Sequence, residues 1–188
     1  MGSPPPVPQE QIDARRTRQA SEQYFTAVNT LIDDLSSKNA RATNYERTAA
    51  WHDSYASKID SLSLRNVDPE LADYGKLVGQ RLRAVGASSR GVSLRLNTAQ
   101  NEFVVDYSVD PGQFGGWGPG MFMGGAAMYS PPTWRATSNL QQVREKQARA
   151  VEEGAEQREQ IWQTITDSRQ KARQQMYSKF GKDFGGGR

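Results

Sequence analysis

Residues 24–59 read YFTAVNTLIDDLSSKNARATNYERTAAWHDSYASKI, and the spacing inside this stretch decides the fold class. Tyr24, Val28, Leu31, Leu35, Ala42, Tyr45, Ala49, Ala56 and Ile59 recur at alternating steps of three and four residues, with Lys38 and His52 filling the gaps. That is a helical seam of the coiled-coil kind, because side chains three and four apart share one face of a helix. Phe25 and Ile32 widen the stripe towards a core of three helices. No Pro or Gly interrupts the chain from about Gln11 to Leu62. One continuous helix over about 11–62 is therefore expected, about 70 Å long at a rise of about 1.5 Å per residue. Its polar middle, Ser36–Asn44, should pack less tightly than its ends.

Working outward, Asp68-Pro69-Glu70 is a helix start. The Asp carboxylate caps free N–H groups, Pro suits the first helical position, and Glu complements the positive end of the dipole. Leu71, Tyr74, Val78, Leu82, Val85, Val92, Leu96, Ala99, Phe103 and Tyr107 continue the same spacing, giving a second helix over about 69–107. Leu140, Val143, Ala150, Gly154, Ile161, Ile165, Ala172 and Met176 give a third over about 134–180. The expected fold is all-α: an elongated, coiled-coil-like antiparallel three-helix bundle, a single domain over 11–180. A disordered Pro-rich leader (1–10) precedes it and a flexible tail (181–188) follows. A Gly/Met/aromatic-rich loop (108–133) joins helices 2 and 3. In this up-down-up arrangement the Gly-rich loop lies near the start of the first helix, and the basic tail lies at the other end, near Asp68. The small, polar Gly86–Gly91 run faces Ser36–Asn44, where two weak middles imply close backbone approach, a kink or a small cavity.

Composition agrees with narrow helical seams. Hydrophobic residues make up only 36% of the 188, less than a sheet-centred core requires. Net charge is +3, too small and too dispersed to suggest nucleic acid. Positive charge does gather after Ser168, where Arg169, Lys171, Arg173, Lys179, Lys182 and Arg188 meet Asp183 alone. Arg169, Lys171, Arg173, Lys179 and Lys182 are the candidates for an anionic surface. The chain has no cysteine, and no stretch reads as a signal peptide or membrane span. The opening Met-Gly-Ser looks added ahead of PPPVPQE, a leader of the kind that follows a removed export signal or lipid anchor. That points to a bacterial periplasm or an exported, envelope-associated setting rather than a cytoplasm.

Residues 111–134, PGQFGGWGPGMFMGGAAMYSPPTW, carry no charged side chain and resemble no other part of the chain. Gly and Pro exclude a helix interior or central strand, and the apolar content exceeds that of a solvated linker. Phe114, Trp117, Met121, Phe122, Met123, Met128 and Tyr129 are the candidate partner-binding residues, since aromatic anchors dominate hot spots and Met adapts to irregular pockets. A cap on the bundle end, a protein contact and a shallow membrane contact are the three readings of this segment.

Catalytic chemistry finds no foothold. His52 is the only histidine, so neither a di-iron site nor a His-rich zinc site can be assembled. Glu152, Glu156 and Glu159 share a helix face and Glu153 adjoins them, as exposed carboxylates of long helices commonly do. The glycines form no phosphate-binding motif and no serine sits in a nucleophile elbow. No catalytic residue, metal or cofactor is expected. The expected function is a non-enzymatic scaffold or adaptor that binds a protein partner, with a homodimer and a membrane surface as further partners and nucleic acid disfavoured. A peripheral envelope protein and a helical sensor with a small pocket are the alternatives.

Overall fold

The computed structural model describes residues 2–114 and 132–186, and for 102–114 and 132–138 the backbone alone. All regular structure in them is helical: α1 (Gln9–Asn39), α2 (Tyr45–Asp60), α3 (Pro69–Phe114) and α4 (Pro132–Phe180). The described residues are all-α, but they form four helices where three are expected. The continuous helix expected over 11–62 breaks at Ala40–Asn44, where the Ala40, Arg41 and Ala42 N–H groups close back on Ser36, Lys38 and Asn39 carbonyls. Asn44 then caps α2, its side chain accepting from Arg47 N at 3.0 Å. Asn at this position competes with helix continuation, because its side chain offers the backbone another partner.

The chain reverses there. Tyr55 of α2 bonds Asp34 of α1 and accepts from Lys38 Nζ, and Asp68 N donates to Ser21 Oγ at 3.0 Å. α2 thus runs antiparallel to α1. The reversal covers the stripe of α1 with Tyr55, Ala56 and Ile59 of its own sequel.

The chain divides into two compact units, Met1–Ser89 with Arg158–Arg188, and Arg90–Gln157. The first is an up-down-up-down bundle. Arg83 of α3 meets Asp60, so α3 runs antiparallel to α2. Arg169 meets Asp33 at 2.7 Å and Lys179 meets Asp68 at 3.0 Å, so α4 runs antiparallel to α1 and α3. The core holds Val28, Ile32 and Leu35 of α1, Leu71, Val78 and Leu82 of α3, and Ile165 and Met176 of α4. Tyr74 is buried among them and its hydroxyl donates to Asn29 Oδ1 at 2.8 Å. Burial pushes that phenol well above the ordinary tyrosine range, since the phenolate would lose its water.

Asp68 acts as the motif predicts, accepting from Glu70 N at 3.0 Å, and the basic tail reaches it through Lys179. The start of α1 lies beside that same tail, not at the opposite end as expected. Arg18 donates to the Phe180 carbonyl at 3.1 Å and pairs with Asp183 at 2.9 Å. The hairpin at Ala40–Asn44 is the reason, because it brings α1 back to the end it started from.

The flexible tail expected from 181 onward is also corrected, through Gly186. Gly181 adopts φ +100°, a left-handed conformation that suits glycine. Its N–H bonds Tyr177 O at 2.9 Å. The chain then turns so that Phe184 is buried, stacked on Phe180 with centroids 5.5 Å apart and tilted against Phe25 at 5.9 Å.

The second unit consists of the later part of α3 and the earlier part of α4. Arg95 pairs with Glu153 at 2.7 Å and Gln147 Nε2 donates to Leu96 O at 3.4 Å, so the two segments are antiparallel. Val92, Ala99, Val143 and Ala150 are buried along their seam. The helix expected to end near 107 continues through Phe114, and 108–114 belong to α3 rather than to the loop.

Candidate functional site

The sequence singles out Phe114, Trp117, Met121, Phe122, Met123, Met128 and Tyr129. Phe114 is the last residue of α3, and the others lie in 115–131, outside the described residues. The helices on either side of it, α3 and α4, run antiparallel where Arg95 meets Glu153 and Gln147 meets Leu96.

The five basic candidates separate into two groups. Arg169 holds Asp33 with two hydrogen bonds, at 2.7 and 3.1 Å, which raises the affinity of its guanidinium for the proton. Lys179 is tied to Asp68 and Glu70 at 3.0 and 3.4 Å, and Arg173 lies over the Phe25 ring at 5.9 Å. These three brace the bundle. Lys171 and Lys182 are exposed, and Lys171 lines a shallow groove with Glu70, Asp73 and Gln175. Three of the five thus have partners within the bundle, and two stand exposed.

His52 is fully buried on α2. Its Nδ1 lies 2.7 Å from Thr48 O. A carbonyl only accepts, so the proton sits on Nδ1 and Nε2 keeps a lone pair, with no hydrogen-bond partner. The Trp162 ring closes one side edge-on at 5.7 Å. Burial holds the imidazole below its ordinary pKa and the Arg158 charge adds to this, against weaker opposition from the Thr48 bond and Asp53. No group of three His, Cys, Asp or Glu side chains able to hold a metal ion occurs around it or elsewhere among the described residues.

The sign of the resulting pH dependence is fixed. The folded state binds the His52 proton less readily than the unfolded chain, so the stability due to neutral His52 is complete above about pH 6.5 and is lost as pH falls towards the lowered native value. The urea midpoint of the native chain is expected to fall between pH 7.5 and pH 5, and the His52→Leu variant to lose most of that dependence. Equal slopes in the two proteins would show that His52 is not the group responsible.

Beside this histidine, where α1 turns into α2, Asn39, Ala42, Thr43, Asn44, Tyr45, Thr48 and Arg158 line a polar cavity of about 200 Å³. The Arg158 guanidinium lies over the Tyr45 ring at 5.3 Å, and its Nη1 is buried without an acceptor. Sequence reasoning missed this cavity because it follows from the helical hairpin. Asn44, a residue type that caps helices, is the one local hint, and the apolar spacing runs through it unchanged. The small pocket expected between Gly86–Gly91 and Ser36–Asn44 does not form that way. A side chain at Gly86 would meet Asp53 and the Ala49 carbonyl, both on α2. Of the acidic cluster on α4, Glu153 is engaged by Arg95.

No family model, no curated protein and no solved structure matches this chain.

Proposed function

We propose that this protein is a non-enzymatic scaffold or adaptor that takes hold of a protein partner through the uncharged segment running from Phe114 to Tyr129. The observation that carries the reading is compositional. Trp117, Met121, Phe122, Met123 and Tyr129 are set among seven glycines between Gly112 and Gly125 in a stretch without one charge, while the flanking helices are polar. Large side chains that gain most from leaving water are concentrated in one place, on a backbone free to adapt to a partner's surface.

Exchanging Phe114–Tyr129 for a short Gly-Ser linker tests the proposal. Helicity by circular dichroism is expected to be retained, while partners recovered by affinity capture from the source cell are lost. Loss of folding would instead make the segment a structural cap. The rival reading, a peripheral envelope protein, receives less support from the basic tail now that Arg169, Arg173 and Lys179 have partners inside the bundle. Sedimentation with anionic and neutral vesicles tests it. Salt-resistant binding that disappears with the linker exchange would replace the protein partner by a membrane surface.

A further inference from the structure

The second unit carries a charge pattern that is the inverse of itself. On α4, Lys146, Arg149, Glu153 and Glu156 follow one another at steps of three, four and three residues, so they form one stripe along the helix. All four are exposed. Read from the other end, the stripe gives acid, acid, base, base. Lys146 and Glu156 are equidistant from Val151, as are Arg149 and Glu153. A second α4 laid antiparallel across the first at the level of Val151 would therefore set every base against an acid.

Two further observations place a contact on this face. Lys146, Arg149 and Glu153 line a groove of about 350 Å³ with Leu94, Arg95, Thr98 and Ala99 of α3. Leu94, in that groove, is 67% exposed, the highest value of any large hydrophobic side chain among the described residues. The groove thus has an apolar anchor beside the point where the charge inverts. Glu153 already holds Arg95 of the same chain at 2.7 Å, so in such a contact it is shared between that guanidinium and Arg149 of the second copy.

We propose that this face is the site of self-association, an isologous antiparallel contact with a second copy of the chain about a two-fold axis that crosses the stripe between Arg149 and Glu153, at the level of Val151. Such a contact requires one self-complementary patch, which this stripe supplies. Lys146 meets Glu156 of the second copy, Arg149 meets Glu153 of the second copy, and both pairs recur by symmetry. Leu94 is covered at the centre. The inference stands apart from the adaptor reading, since none of these residues lies in 114–129.

Sedimentation equilibrium of the full chain and its variants is the test. The native chain is expected to be a dimer that weakens at least tenfold between 50 and 500 mM salt, roughly the range over which screening removes exposed charge contacts. Lys146→Glu with Arg149→Glu, and separately Glu153→Lys with Glu156→Lys, are each expected to be monomeric with native helicity, and an equal mixture of the two to restore a dimer. Leu94→Ser, at an exposed position that folding does not need, is expected to weaken the dimer at least tenfold. A native chain that stays monomeric up to about 0.5 mM, reversals that leave the dimer unchanged, or a mixture that stays monomeric would each overturn the proposal.

Discussion

Phe184→Ala is expected to lower the unfolding free energy by about 3–5 kcal/mol, the range for removing a buried aromatic ring. The side chain is only 2% exposed, although it lies a few residues from the end of the chain. It stacks on Phe180 and tilts against Phe25, and Phe25 in turn touches Tyr74 at 5.9 Å. Deleting the ring opens the bundle end where α1, α3 and α4 meet, and Arg18 loses the neighbour that keeps its contact with Asp183 in place. Urea unfolding should report a lower midpoint with an unchanged slope. Phe184→Leu, which keeps most of the volume, should cost about 1.5 kcal/mol or less, and removal of 182–188 should match the alanine variant. A cost below about 1 kcal/mol for Phe184→Ala would mean that the ring is not part of the core.

Gly75→Leu is the second large effect, expected to cost about 3 kcal/mol. A β-carbon added at Gly75 would run into the Tyr24 hydroxyl and lie 2.7 Å from its Cζ, closer than non-bonded atoms tolerate. Tyr24 is only 5% exposed, so moving its ring aside gives up buried contacts of the bundle core. The smaller change Gly75→Ala separates packing from propensity. Alanine in a helix interior gains about 1 kcal/mol over glycine, so a helix free of neighbours would be stabilised. Here the overlap should reverse the sign. Tyr24→Phe removes the hydroxyl and is expected to recover part of the loss, giving a coupling of about 0.5–3 kcal/mol in a double-mutant cycle. An alanine variant more stable than the native chain would show that α1 and α3 do not approach as closely as described.

Gly75 also shows how far the sequence could be read. As a glycine inside an apolar repeat it argues against a straight, stable helix, and only the Tyr24 ring explains its presence. The repeat itself was legible. Val28, Leu35, Ala49, Ala56, Ile59, Leu71, Val78, Leu82, Ile165 and Met176 carry the three-and-four spacing and are buried. The Asp68-Pro69-Glu70 start was legible too, because capping depends on neighbouring residues alone. His52 was recognisable as a packed histidine beside aromatics, though its aromatic neighbour across the core is Trp162 from α4, beyond the reach of local spacing.

The reversal at Ala40–Asn44 was not legible. The apolar spacing keeps its phase through Leu35, Ala42, Tyr45 and Ala49, so a straight helix and a hairpin present the same pattern. No Gly or Pro marks the turn. The same limit hid the cavity beside Arg158, which exists because the turn brings Thr43–Thr48 against α4. It also hid the burial of Phe184, since a lone aromatic after Gly181 reads as tail until Phe25 and Phe180 are placed beside it.

The order of residues alone therefore settled that the chain is helical, which faces are apolar, where α3 begins, and where the uncharged segment lies, since each of these depends on neighbours within about two turns. Tertiary structure decided that the stretch 9–60 forms two helices rather than one, which of the described helices touch, and which charges are engaged inside the bundle. Those outcomes turn on burying one stripe against another. A stripe records that it must be covered and carries no record of which helix covers it.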